Sequence, residues 1–181
     1  MQSDREAACW RTYLQSGSRY AYKYKDIEEQ VIRLAVKSAY QSKYILGQKW
    51  GKMSFMPEEI LKSMNISLQY TDTDWITNLG EYDPCKKTVT LYRNNIARYE
   101  DYLLQNNKQK ITLKSVCLYH ELYHVLEDVC IGDTRKNIRN YLGKTILWKS
   151  KVLPFASEIA AHTFAMLVCD LSELPINLVM K

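Results

Sequence analysis

The chain has 181 residues, 46% of them hydrophobic and 25% charged, a balance that excludes a disordered chain and suits one domain with its own core over 1–181. No run approaches the ~20 apolar residues of a membrane span, and the N-terminal "MQSDREAACWRTYLQ" is polar where a signal peptide is apolar, so a cytoplasmic protein is expected. The formal charge of +5 is spread from Arg5 to Lys151, without the dense basic run of a nucleic-acid binder.

Residues 1–66 read as an N-terminal arm followed by helices. Within the arm, "SRYAYKYKD" (18–26) is a solvated basic stretch. Asp26 is a candidate N-cap for "IEEQVIRLAVKSAYQSKYILG", where Ile27, Val31, Leu34, Ala35 and Ser38 share a helical face, continued by Ile45 and Leu46. Gly47 and Gly51 bracket its end. "MPEEILKSMNI" (56–66) predicts a short helix with Pro57 in the first turn and Glu58 and Glu59 at the positive end of its dipole.

From residue 67 the pattern changes. "SLQYTDTDWI" (67–76) is rich in β-branched and aromatic residues, and "NLGEYDPCKKTVTLYRN" (78–94) predicts a hairpin that turns at Asp83–Pro84 and returns through the alternating strand "TVTLY". That strand is either an interior strand or an edge that could pair with an extended peptide. A polar stretch (105–110) precedes a helix for which Thr112 or Ser115 is the expected cap. "DTRKNIRNYLGK" (133–144) is a loop or short helix, and a last helix runs from Pro154 or Ala156 to Cys169. The fold class is therefore α+β, with the strands clustered ahead of the last helices. The tail "LPINLVMK" either packs on the core or covers a cleft. The five cysteines are scattered without CxxC spacing and are expected to be reduced and mostly buried.

Chemistry concentrates in "SVCLYHELYHVLED" (115–128). His120 and His124 stand four apart, on one face of a helix, where two imidazole nitrogens can meet one zinc ion. Glu121 is turned ~100° away and can flank the metal as a general base for an activated water. The competing reading is a pair of core histidines beside a glutamate by chance. A third ligand discriminates the two, and the helix at 154–171 offers Glu158 and His162, again four apart. All three histidines of the chain thus fall in two helical segments, each with a glutamate. Either Glu158 or His162 can complete the set on spacing alone, with the other as an outer partner.

These motifs resemble the ImmA/IrrE group of small zinc peptidases and the minigluzincins. In order, the chain carries "GEYDP" at 80–84, "TVTLY" at 88–92, HELYH at 120–124 and "EIAAHTFA" at 158–165, so the likeness spans residues 78–168. The resemblance implies a zincin-like catalytic core over 67–181, with a small sheet and hairpin packed on the HExxH helix. It implies zinc bound by His120, His124 and Glu158, Glu121 as catalytic base, His162 in the outer shell, and a peptide or protein substrate. Two positions depart from the pattern: His162 replaces a usual asparagine, and Tyr123 stands where glycine is common, with consequences for packing against the sheet. An oxyanion donor is expected among the fourteen tyrosines, Tyr141 being one candidate. The alternative function is a zinc-bound regulatory or protein-interaction module with little or very selective proteolysis.

Overall fold

The computed structural model describes residues 7–8, 10, 25–51, 56–73, 78–105, 112–143 and 150–171. The basic stretch up to residue 24, Cys9 and the tail from residue 172 lie outside the described residues.

A long helix, α1 (Lys25–Trp50), opens the described chain. Its buried stripe is Val31, Ile32, Ala35, Val36, Ala39, Ser42 and Leu46, the i, i+4, i+8 spacing expected of an amphipathic helix. Asp26 lies inside the first turn, so it acts on the helix dipole with Glu28 instead of standing before the helix as its cap. Gly47 is helical, and Gly51 supplies the left-handed stop at φ +54°. Helix α2 (Pro57–Ser63) begins with Pro57 and buries Ile60 and Leu61.

Three strands follow: β1 (Ser67–Thr71), β2 (Gly80–Asp83) and β3 (Thr88–Tyr92). The expected hairpin pairs β2 with β3 antiparallel, Gly80 opposite Leu91 and Tyr82 opposite Val89. Asp83 Oδ1 accepts from the Cys85 and Lys86 N–H groups at 2.9 and 3.1 Å, which closes the turn. β1 pairs with β3 in parallel, so the sheet order is β1-β3-β2 and "TVTLY" is the interior strand, with Val89 and Leu91 fully buried. The edges are β1 and β2.

Helix α3 (Arg93–Gln105) continues directly from β3, in a largely polar stretch. Its apolar positions are few, but Ile96 and Leu103 are buried and Tyr99 packs against the core. Glu100 of α3 supplies the start of α4 (Leu113–Leu126): the Leu113 N–H donates to Glu100 Oε1 at 2.9 Å. Thr112 immediately precedes α4, but its side chain makes no capping bond, and Ser115 is already helical. A widened, π-helical turn (Glu127–Ile131) ends α4, and α5 (Thr134–Leu142) starts at Asp133, whose carboxylate accepts from the Lys136 N–H at 3.0 Å. A short 3-10 turn (Leu153–Phe155) then leads into α6 (Ala156–Val168).

The architecture is α+β, six helices with a small mixed sheet among the described residues. Helix α6 packs against both α1 and α4, and α4 also contacts β2 and β3. Small residues on both sides, Ala35 and Ala39 on α1 and Ala160, Ala161 and Ala165 on α6, are fully buried and permit close approach. Polar ties hold this packing in register. The Glu28 carboxylate accepts from Ser150 Oγ and from the N–H groups of Lys151 and Val152 at 2.9–3.0 Å. The Lys43 ammonium donates to the Leu167 carbonyl at the end of α6.

Tyr123 does not face the sheet. Its hydroxyl lies 3.0 Å from Ser38 Oγ and 2.7 Å from Thr134 Oγ1, and its ring packs 5.6 Å from Phe164, so it joins α4 to α1, α5 and α6. Cys85, Cys117, Cys130 and Cys169 are free thiols, but of these only Cys117 is buried; the others fall on a turn and at helix ends. No helix among the described residues is long and apolar enough to cross a membrane.

Candidate metal centre

Helix α4 is buried around nearly its whole circumference, which brings its two histidines inside the fold at the floor of a cleft of about 810 Å³. The imidazoles are one turn apart, 5.1 Å between ring centroids. Glu158 reaches the same point from the first turn of α6, where the positive end of the helix dipole favours a carboxylate.

The three side chains converge. His120 Nε2 and His124 Nε2 are 3.3 Å apart, His120 Nε2 is 3.2 Å from Glu158 Oε2, and His124 Nε2 is 3.4 Å from Glu158 Oε1. Four ligands at 2.0–2.1 Å around a tetrahedral zinc are separated by about 3.3 Å, the spacing of the two imidazole nitrogens, and each nitrogen has a different oxygen of Glu158 at a similar distance. His120, His124 and Glu158 form a group that could hold a metal ion.

Electrostatics point the same way. Burial disfavours a charge on His124, yet hydrogen bonds with Glu127 and Glu158 carry its pKa up to about 10. Burial alone would raise Glu158, but both imidazoles hold it well below the usual carboxylate range. Three carboxylates, Glu121, Glu127 and Glu158, therefore act on two imidazoles, an excess of negative charge that a dication would neutralise. The metal competes with protons for these nitrogens.

Glu121 is 6% exposed and lines the cleft beside the histidines. Burial raises its pKa, against the pull of His120 and His124. The edge strand β2 passes directly over it. A Cβ at Gly80 would stand 2.8 Å from Leu91 Cδ2 and 3.2 Å from both Cγ and Oε1 of Glu121, so only glycine lets the β2 backbone lie this close to the carboxylate.

His162 is on α6 one turn beyond Glu158, but it is not part of the converging group. It is fully buried, edge-on to the Trp10 ring at 5.3 Å, while Trp10 Nε1 donates to Thr163 Oγ1 at 3.1 Å. Burial lowers its pKa to about 3, which keeps it neutral. Among the described residues, neither of its ring nitrogens has a hydrogen-bond partner, and the same holds for His120 Nδ1.

Tyr141 is 77% exposed and away from the cleft. The cleft tyrosines are Tyr82 and Tyr99; burial and then Asp128 push Tyr82 up to about 12, and its hydroxyl donates to Asp128 Oδ2 at 2.9 Å. Glu127 and Ser157 also belong to the site, beside His124, and no motif marks them. Glu127 is three residues after His124, a helical spacing that signals contact, whereas nothing local marks Ser157.

No family model matches the chain, and neither a curated protein nor a solved structure matches it.

Proposed function

We propose that this chain is a zinc-dependent peptidase of the gluzincin type, with a zincin-like core similar to the ImmA/IrrE group. The observation that carries this reading is the convergence of two helices: the imidazole nitrogens of His120 and His124 are 3.3 Å apart, the two oxygens of Glu158 lie 3.2 and 3.4 Å from them, and a buried carboxylate stands beside them. Zinc would be held by Nε2 of His120, Nε2 of His124 and one oxygen of Glu158. When bound, the metal supplies Lewis-acid activation of a water and of the scissile carbonyl.

The chain's own residues do the rest. Glu121 accepts the proton of the attacking water and returns it to the leaving amine, a role that its raised pKa favours. Gly80, Glu81 and Tyr82 line the cleft from the edge strand β2, whose backbone is available to pair with an extended peptide. The catalytic strand edge is therefore β2, not "TVTLY". His162 supports the fold behind the ligands as a neutral side chain.

Metal analysis of the purified protein, followed by assay on a quenched-fluorescent peptide library, tests this. Wild type and His162→Ala should each carry one zinc per chain, Glu158→Ala should lose it on dialysis, and Glu121→Gln should keep zinc but lose hydrolysis by about 10²–10⁴-fold. Retained turnover in Glu121→Gln excludes the base role. Zinc without cleavage of any peptide favours the regulatory module instead.

A further inference from the structure

Where α4 ends, the chain does not continue as an α-helix but widens into the turn Glu127–Ile131. Such a turn changes the direction of side chains at the end of a helix and recurs at functional sites. Here Glu127, 10% exposed at its side chain, lies against the ring of His124, with Oε2 3.0 Å from Nδ1. The carboxylate is itself held twice. Its Oε1 accepts from the Thr134 N–H at 2.9 Å, at the start of α5, and its Oε2 accepts from the Ser157 hydroxyl, at the start of α6. Ser157 Oγ also stands 3.3 Å from His124 Nδ1, and the next residue is Glu158.

We propose that Glu127 is a positioning residue of the centre: its carboxylate, fixed by Thr134 and Ser157, accepts the Nδ1–H of His124 and so presents Nε2 as the ligand atom. This rests on the metal-binding reading above. An imidazole has two nitrogens, and only the one without a proton can ligate; a carboxylate on Nδ1 selects that tautomer, fixes the ring plane and makes the ligand a stronger donor. The same carboxylate joins three segments, the end of the metal helix and the beginnings of α5 and α6. It therefore governs the separation of His124 from Glu158 as well as the orientation of His124. His120 has no such support at Nδ1 among the described residues, so the two histidines are not equivalent ligands.

Zinc affinity by chelator competition, in wild type, Glu127→Gln, Glu127→Ala and Ser157→Ala, tests the inference, together with the visible spectrum of the cobalt-substituted proteins. Glu127→Ala should weaken zinc binding by about 10–100-fold and alter the cobalt bands, with far-UV circular dichroism unchanged. Glu127→Gln keeps an acceptor without the charge and should fall between it and wild type, and Ser157→Ala should show a smaller loss. Wild-type affinity and spectrum in Glu127→Ala overturn the inference and leave the metal site standing, whereas a wild-type chain that binds no zinc overturns both. Should the alanine variant fail to fold, nitrogen-resolved NMR of zinc-loaded wild type decides. A protected Nδ1 proton on His124 supports the assignment and its absence overturns it.

Discussion

The two flanks of the candidate centre hold histidines of opposite character. On one, His124 is ringed by Glu127, Glu158 and Ser157, and its proton affinity is raised to about 10. On the other, His162 stands one turn below Glu158, packed on Trp10 in the dry core, and its pKa is lowered to about 3. Both rings are enclosed by the same two helices and the segments packed on them. The difference lies in the partners: carboxylates repay the cost of burying a cationic ring, and an apolar cage does not. One flank could thus hold a cation, and the other packs the core.

Removing Trp10 should have the largest effect on stability. Trp10→Ala deletes a ring that is 2% exposed and a hydrogen bond to Thr163, and it should cost about 3–5 kcal/mol in denaturant unfolding of the metal-free protein. Zinc affinity should fall less than in Glu127→Ala. A variant that loses zinc while keeping its stability would assign Trp10 to the binding flank and break the comparison.

Acid should separate the flanks next. The unfolded state binds a proton at His162 near the usual value of ~6.5, and the folded state only near 3. Between these values the unfolded state binds more protons, so stability falls as pH falls, by about 1.4 kcal/mol per pH unit. His124 has the opposite sign: with a folded pKa near 10, it adds stability that is fully present below ~6.5 and is lost as pH rises through about 10. Urea unfolding of metal-free wild type and His162→Leu from pH 7 to pH 4 measures the first effect. The wild type should lose stability more steeply than the variant, and parallel curves would show that His162 is not held neutral.

Tyr123→Phe should do least. It removes one hydroxyl shared with Ser38 and Thr134, at about 1 kcal/mol by thermal or denaturant unfolding, and leaves zinc affinity unchanged. A large loss of zinc would mean that the hydroxyl network reaches His120 and His124 through α4.

Much of this molecule was legible in local patterns. Helical periodicity marked α1, α4 and α6, and Asp83–Pro84 followed by an alternating run marked the hairpin. Helix α3 escaped because "RNNIARYEDYLLQ" is largely polar, with its few apolar side chains packed by tertiary contact. The start of α4 after Thr112 was legible too, but not the group that satisfies its first N–H, which is Glu100, thirteen residues earlier, instead of the Thr112 side chain.

For the site the division is sharper. Spacing within one helix determined that His120 and His124 share a face and that Glu121 does not, because the helix repeat is set by the backbone alone. Spacing left Glu158 and His162 equivalent, since both lie on a neighbouring surface of α6. Only the packing of α6 against α1 and α4 turned Glu158 towards the imidazoles and His162 towards Trp10. The packing of β2 on α4 likewise made it the edge that lines the cleft, and the wide turn after α4 brought Glu127 and Ser157 together across thirty residues. Local sequence determines which side chains share a helical face; which faces meet is decided by burial over the whole chain.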